Sequence, residues 1–101
     1  MTLAFMATGA QGVISVASNI APAEVSGLVV SMLSGDLDSA RALHHCLSPL
    51  FKACFVESNP IPAKAAMAAL GLMNEDVRLP LVKASDSTKK LMSQILATLW
   101  K

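Results

Sequence analysis

Three features of this 101-residue sequence predict a mainly helical fold. Apolar residues recur at helical spacing along most of its length, for example at Val25, Leu28, Val29, Met32 and Leu33. Glycines and prolines punctuate these stripes at positions suited to helix ends and first turns. One short run alone, Gly12 to Val16, is β-branched and apolar enough to read as a strand, and it reads as a buried parallel one.

Taken in order, Leu3 to Thr8 reads as a short helix with Gly9 as the residue beyond its end. The Gly12–Val16 strand follows, with no second strand in the sequence to pair with, so its backbone groups need a partner from elsewhere. Asn19 is expected to cap the next helix, Pro22 to sit in its first turn and Gly35 to end it. Asp36 places an acid at the start of a third helix, whose inward stripe is Leu37, Ala40, Leu43, Leu47, Leu50, Phe51, Cys54 and Phe55. Pro49 lies within that stripe, and a kink or short break is expected around His45 to Ser48.

The stretch Phe55 to Lys64, reading FVESNPIPAK, is the most informative part of the chain. Its two prolines lack amide donors and push Asn59 and Ile61 toward extended geometry. One helix should therefore end near Glu57 and another begin near Pro62, with Ser58 and Asn59 supplying capping oxygens. Pro62 to Leu72 is Ala-rich, which lets a neighbouring helix approach closely, and Gly71 helps to end it. Asn74 to Ala84 reads as a surface loop in which Arg78-Leu-Pro-Leu81 is an extended anchor with both leucines in an apolar groove. Ser85 caps a final helix from Asp86 to about Trp100, with Leu91, Met92, Ile95, Leu96 and Leu99 on its apolar face.

Apolar residues make up 53% of the chain and charged residues 15%, a surplus that in so short a sequence points to a face packed against something else. The net charge is +1 with acids and bases interspersed, so neither nucleic acid nor an anionic membrane is an expected partner. The strongly apolar run Gly27 to Leu33 falls short of the ~20 residues that span a bilayer. No Lys or Arg precedes the apolar N-terminal region, as a secretory signal requires. Two cysteines without a secretory context read as reduced thiols, and the expected location is the cytoplasm.

FVESNPIPAK resembles the C-terminal signature of the dihydrodipicolinate synthase family, pyruvate-dependent class I aldolases of lysine and diaminopimelate biosynthesis. The likeness extends through GAQGVISV at Gly9 to Val16, SGDLDSARAL at Ser34 to Leu43 and RLPL at Arg78 to Leu81. It implies a (β/α)₈ barrel enzyme about three times this length, of which the chain is similar to the last third. On that basis residues 1–35 would be the barrel remnant, comprising the end of helix 7, strand 8 and helix 8, and residues 36–101 the C-terminal helical extension. The family condenses pyruvate with aspartate semialdehyde, and both are expected partners only in the context of the full barrel. RLPL and FVESNPIPAK favour this enzyme over sialic-acid-type lyases of the same superfamily.

Class I aldolase chemistry needs a lysine of lowered pKa to form a Schiff base, with groups nearby to relay protons. The resemblance places the family's lysine on an earlier strand and gives the relay to tyrosines; this chain contains no tyrosine. Lys64, the one lysine in a recognisable motif, starts a helix and reads as a surface or supporting residue. No catalytic residue is therefore expected. Ile14 is the single substrate-binding candidate: the resemblance implies that its backbone lines the pyruvate pocket while its side chain fills the barrel interior.

His44, His45, Cys46 and Cys54 invite a metal-site reading, but adjacent histidines point ~100° apart on a helix and the two cysteines lie about 12 Å apart along the axis. That spacing suits neither a tetrahedral site nor a disulfide, so no metal and no cofactor are expected. Glu75 and Asp76 read as a solvated loop. Two functions remain in view. One is the C-terminal part of the aldolase, inactive by itself; the other is a non-catalytic helical module that self-associates or binds a partner through its apolar face.

Overall fold

The structure is a computed structural model and describes residues 1–100. It contains five α-helices, α1 (Thr2–Ala7), α2 (Pro22–Ser34), α3 (Leu37–Ala53), α4 (Ile61–Ala69) and α5 (Asp86–Leu99), and a 3₁₀ turn at Ala17–Asn19. The mainly helical expectation holds. The expected strand does not, because no residue from Gly12 to Val16 joins a ladder and there is no strand among the described residues. A ladder requires a second edge, and the rest of this sequence is helix and loop.

The chain divides into two compact units, Met1–Ser48 and a second beginning at Pro49, so that the division falls within α3. In the first unit α1 and the 3₁₀ turn pack on α2, and Met6, Ile20, Val25 and Leu28 are buried. Gly27 permits close packing there: a Cβ at this position would stand 3.2 Å from Leu43 Cδ1. α2 ends as the sequence predicts. Gly35 takes φ +80°, its amide donates to Met32 and that of Asp36 to Ser31, which satisfies two terminal carbonyls. Gly9 and Gly71 stand beyond the ends of α1 and α4 with the same pair of bonds.

Asn19 does not cap α2. It lies in the 3₁₀ turn with Nδ2 donating to the Val16 carbonyl at 3.0 Å, and Ala21 is the N-cap. Pro22 at the first helical position already removes one of the free amides that a cap would serve. At the start of α3, Asp36 accepts from the Ser39 amide at 3.1 Å, and hydrogen bonding from the Ser39 side chain, then from its amide, holds the carboxyl below the ordinary value.

α3 continues through Pro49, so the short break offered as one of the two outcomes there does not occur. The lost backbone bond and ring clash cost about 3 kcal/mol, whereas full burial of Leu47 and Leu50 contributes about 1.5–3 kcal/mol each. Burial therefore outweighs the proline. The inward stripe is narrower than the periodicity suggests: Ala40, Leu47, Leu50 and Cys54 are buried, Leu37 is exposed, and Phe55 lies past the helix end and is exposed.

In the second unit α4 packs on α5, with Ala65 and Ala66 buried on one helix and Met92 and Leu96 on the other. α3 ends at Ala53, one turn before the predicted Glu57, and α4 begins at Ile61 with Pro60 as its N-cap. Ser58 and Asn59 supply no side-chain cap. The Ile61 amide donates instead to the Ser58 carbonyl at 2.9 Å, and Pro62 has no amide to satisfy. Pro62 is fully buried. Arg78 to Leu81 forms a turn, with the Leu81 amide donating to the Arg78 carbonyl and a cis Leu79–Pro80 bond, rather than an extended anchor. The turn separates its leucines: Leu81 and Val77 pack against Ile61, Ala65 and Ala84, while Leu79 is left exposed.

Candidate functional site

The candidate site lies in the first unit, where Gly12, Val13, Ser15 and Ser18 face Val25, Ser26, Val29 and Val30 of α2 across an open depression of about 360 Å³. Val13 and Ser15 line it, whereas Ile14 does not and is fully exposed. That alternation is the period of a strand, in a segment that pairs with nothing. The amides of Gln11 to Val16 donate no hydrogen bond among the described residues, and the carbonyls of Gln11 to Ile14 accept none. The segment is secured at its far end, where Ser18 Oγ donates to the Ser15 carbonyl at 2.7 Å and the Ser18 amide donates to Ser15 Oγ. The Ile14 amide and carbonyl thus make no hydrogen bond among the described residues.

The other candidates lie apart from this segment in sequence and are engaged in other ways. Lys64 Nζ donates to the Asp76 carbonyl at 2.8 Å, tying α4 to the 74–84 loop. Asp76 also pairs with Lys83 at 3.0 Å, and Glu75 with Lys89 at 2.9 Å, so the two adjacent acids hold separate lysines and form no acid pair. The Asp76 partner favours the charged form of Lys83 and raises its pKa. No group of three or more His, Cys, Asp or Glu among the described residues could hold a metal. His44 and His45 meet edge to face at 5.4 Å between ring centres. Burial, with the neighbouring His45, lowers the His44 pKa, and its Nδ1 is buried without a partner among the described residues. Cys46 is exposed and Cys54 buried, both as free thiols, and burial pushes the Cys54 thiol up to about 11.

One fastening was missed from the sequence. Glu57 Oε2 accepts from the Ser85 amide at 3.1 Å and from Ser85 Oγ at 3.3 Å, joining the elbow to the start of α5. Ser85 also accepts from the Thr88 amide as the predicted cap. The capping serine was legible locally; its partner, 28 residues earlier, was not.

Residues 1–99 match the sequence profile of the dihydrodipicolinate synthetase family. The chain belongs to that family. It is 52% identical over 99 residues to the 4-hydroxy-tetrahydrodipicolinate synthase of Sorangium cellulosum, a match that covers 98% of this chain and 33% of that protein. The crystal structure of dihydrodipicolinate synthase from Thermotoga maritima superposes with a TM-score of 0.96 at 43% identity, over 98% of this chain and 34% of that one. The chloride-inhibited synthase of Acinetobacter baumannii, solved in complex with pyruvate, gives a TM-score of 0.92 at 33% identity, over 97% and 34% of the two chains. The chain therefore spans about a third of the length of the dihydrodipicolinate synthases it matches, in agreement with the resemblance carried by FVESNPIPAK.

Proposed function

We propose that this chain is the C-terminal part of a 4-hydroxy-tetrahydrodipicolinate synthase, acting in the cytoplasm, and that it does not condense pyruvate with aspartate semialdehyde by itself. In this reading Gly12–Val16 is the eighth strand of the (β/α)₈ barrel and the Ile14 backbone forms one side of the pyruvate pocket once neighbouring strands are in place. Residues 1–35 then complete the barrel, and residues 36–101 form the helical extension that buttresses it. The observation that carries it is the open segment itself: a β-branched run with strand-like alternation and unpaired backbone, within a chain that follows a solved synthase over 98% of its length.

The residues present also support the reading that this chain is inactive by itself. Schiff-base formation needs a lysine kept from full solvation, and no lysine among the described residues is buried. Lys64 is committed to the Asp76 carbonyl, and the chain has no tyrosine for a proton relay. The test is the intact mass of the chain after incubation with pyruvate and borohydride. No adduct is expected on this chain alone. On co-expression with the preceding two-thirds of the Thermotoga maritima enzyme, an adduct is expected on that second polypeptide only. A stoichiometric adduct on this chain overturns the reading.

A second reading, a helical module that self-associates, is favoured by the apolar side chains exposed in the first unit, among them Phe5, Ile14, Val30 and Leu33.

A further inference from the structure

The far end of the Gly12–Val16 segment is held by side chains of the 3₁₀ turn that follows it. Ser15 is gripped twice: its carbonyl accepts from Ser18 Oγ at 2.7 Å, and its own Oγ accepts from the Ser18 amide at 3.1 Å. The next carbonyl, that of Val16, accepts from Asn19 Nδ2 at 3.0 Å and from the Asn19 amide at 3.1 Å. All of these bonds lie within residues 15–19, and none involves a neighbouring strand. The Ser15–Ser18 pair is part-buried, where water competes less for its bonds.

The grip acts next to the Ile14 carbonyl. That carbonyl and the Ser15 amide share one planar peptide group. With Ser15 fixed at its carbonyl and its side chain, rotation about its N–Cα bond is the one freedom between the Ile14 carbonyl and a fixed frame. The hold also comes from behind: Ser15 and Ser18 line the depression beside α2 and Ile14 does not, so the face that carries the Ile14 side chain is left clear.

We propose that Ser18 and Asn19 are positioning residues for pyruvate, fixing the end of the segment so that the Ile14 backbone keeps the orientation the pocket requires. This rests on the barrel reading above, in which the pocket lies at the C-terminal ends of the strands. A loosened Ile14 backbone then weakens the hold on pyruvate and not on the second substrate. Ser34, whose Oγ donates to the Ser31 carbonyl at 3.1 Å at the other end of α2, makes a bond of the same kind far along the chain from Ile14 and serves as the control.

The test uses the complex of this chain with the preceding two-thirds of the Thermotoga maritima enzyme. Ser18→Ala and Asn19→Asp each remove a side-chain donor and are expected to raise the pyruvate KM roughly two- to tenfold, the effect of one hydrogen bond. The KM for aspartate semialdehyde and the helical circular dichroism should not change. Ser18→Thr keeps a hydroxyl and should restore the parent pyruvate KM, and Ser34→Ala should leave it unaltered. On this chain alone, the Ser18 amide is expected to exchange hydrogen more slowly than the unbonded Val13 amide, and Ser15→Ala to abolish the difference. A parent complex that forms no pyruvate adduct overturns the barrel reading and this proposal together. An adduct in the parent, with a pyruvate KM that neither substitution changes or with both KM values raised alike, overturns the proposal and leaves the barrel reading standing. So does a Ser18 amide that exchanges as fast as that of Val13. Should Ser18→Ala fail to assemble, Asn19→Asp, close to the parent in shape, decides.

Discussion

The elbow from Phe55 to Lys64 and the segment from Gly12 to Val16 each contain a break between helices, both resemble the same family, and differ in how they are held. The elbow is fastened within its own unit. Pro62 is fully buried, Glu57 accepts from Ser85, and Lys64 donates to the Asp76 carbonyl. The Gly12–Val16 segment has no backbone ladder, and Ile14 makes no use of its side chain. Prolines and caps act over a few residues and find their partners in the same chain. A strand needs a second backbone, and where none is supplied its specific sequence leaves an open edge.

Substitution of core residues should bring out this contrast most strongly. Leu50 is fully buried where the second unit begins, and Leu50→Ala is expected to destabilise by about 2–5 kcal/mol, read from the shift of the urea midpoint. A shift no larger than that of a surface substitution would mean that the second unit is not the packed partner in the comparison.

A smaller effect is expected at Glu57. Hydrogen bonds from Thr88 and from the Ser85 amide hold its carboxyl below the ordinary 4.5. A lowered folded pKa contributes stability that is complete above the unfolded value and is lost as pH falls through the folded one. The parent chain should therefore lose more stability on acidification below pH 4.5 than Glu57→Gln does, and equal acid slopes in urea titrations would remove Glu57 from the elbow's fastenings.

The smallest effect belongs to Ile14. At concentrations where the chain is monomeric, Ile14→Ala should change stability by no more than ~0.5 kcal/mol, because a fully exposed side chain has no packing to lose. A loss comparable to that of Leu50→Ala would show that the segment is held after all.

How much was legible depended on the distance over which each feature is decided. Gly35 and Gly71 end their helices, Ser85 caps α5, and Met92 and Leu96 turn inward as their spacing predicts. Phe55 and Leu79 were read as inward and are exposed, because periodicity sees neither where α3 stops nor how a turn at Pro80 parts two neighbouring leucines. Of the candidate site, the sequence singled out Ile14 and the absence of tyrosine, while the depression beside Ile14 depends on how α2 lies against the segment.

By itself, then, the sequence determined the helices, most of their ends, the elbow and the family, since these follow from backbone conformation, donor loss and side-chain spacing within a few residues. Tertiary structure alone decided that α3 continues through Pro49 and that Glu57 reaches Ser85. Those outcomes turn on burial and on partners distant in sequence, and local pattern carries no record of either.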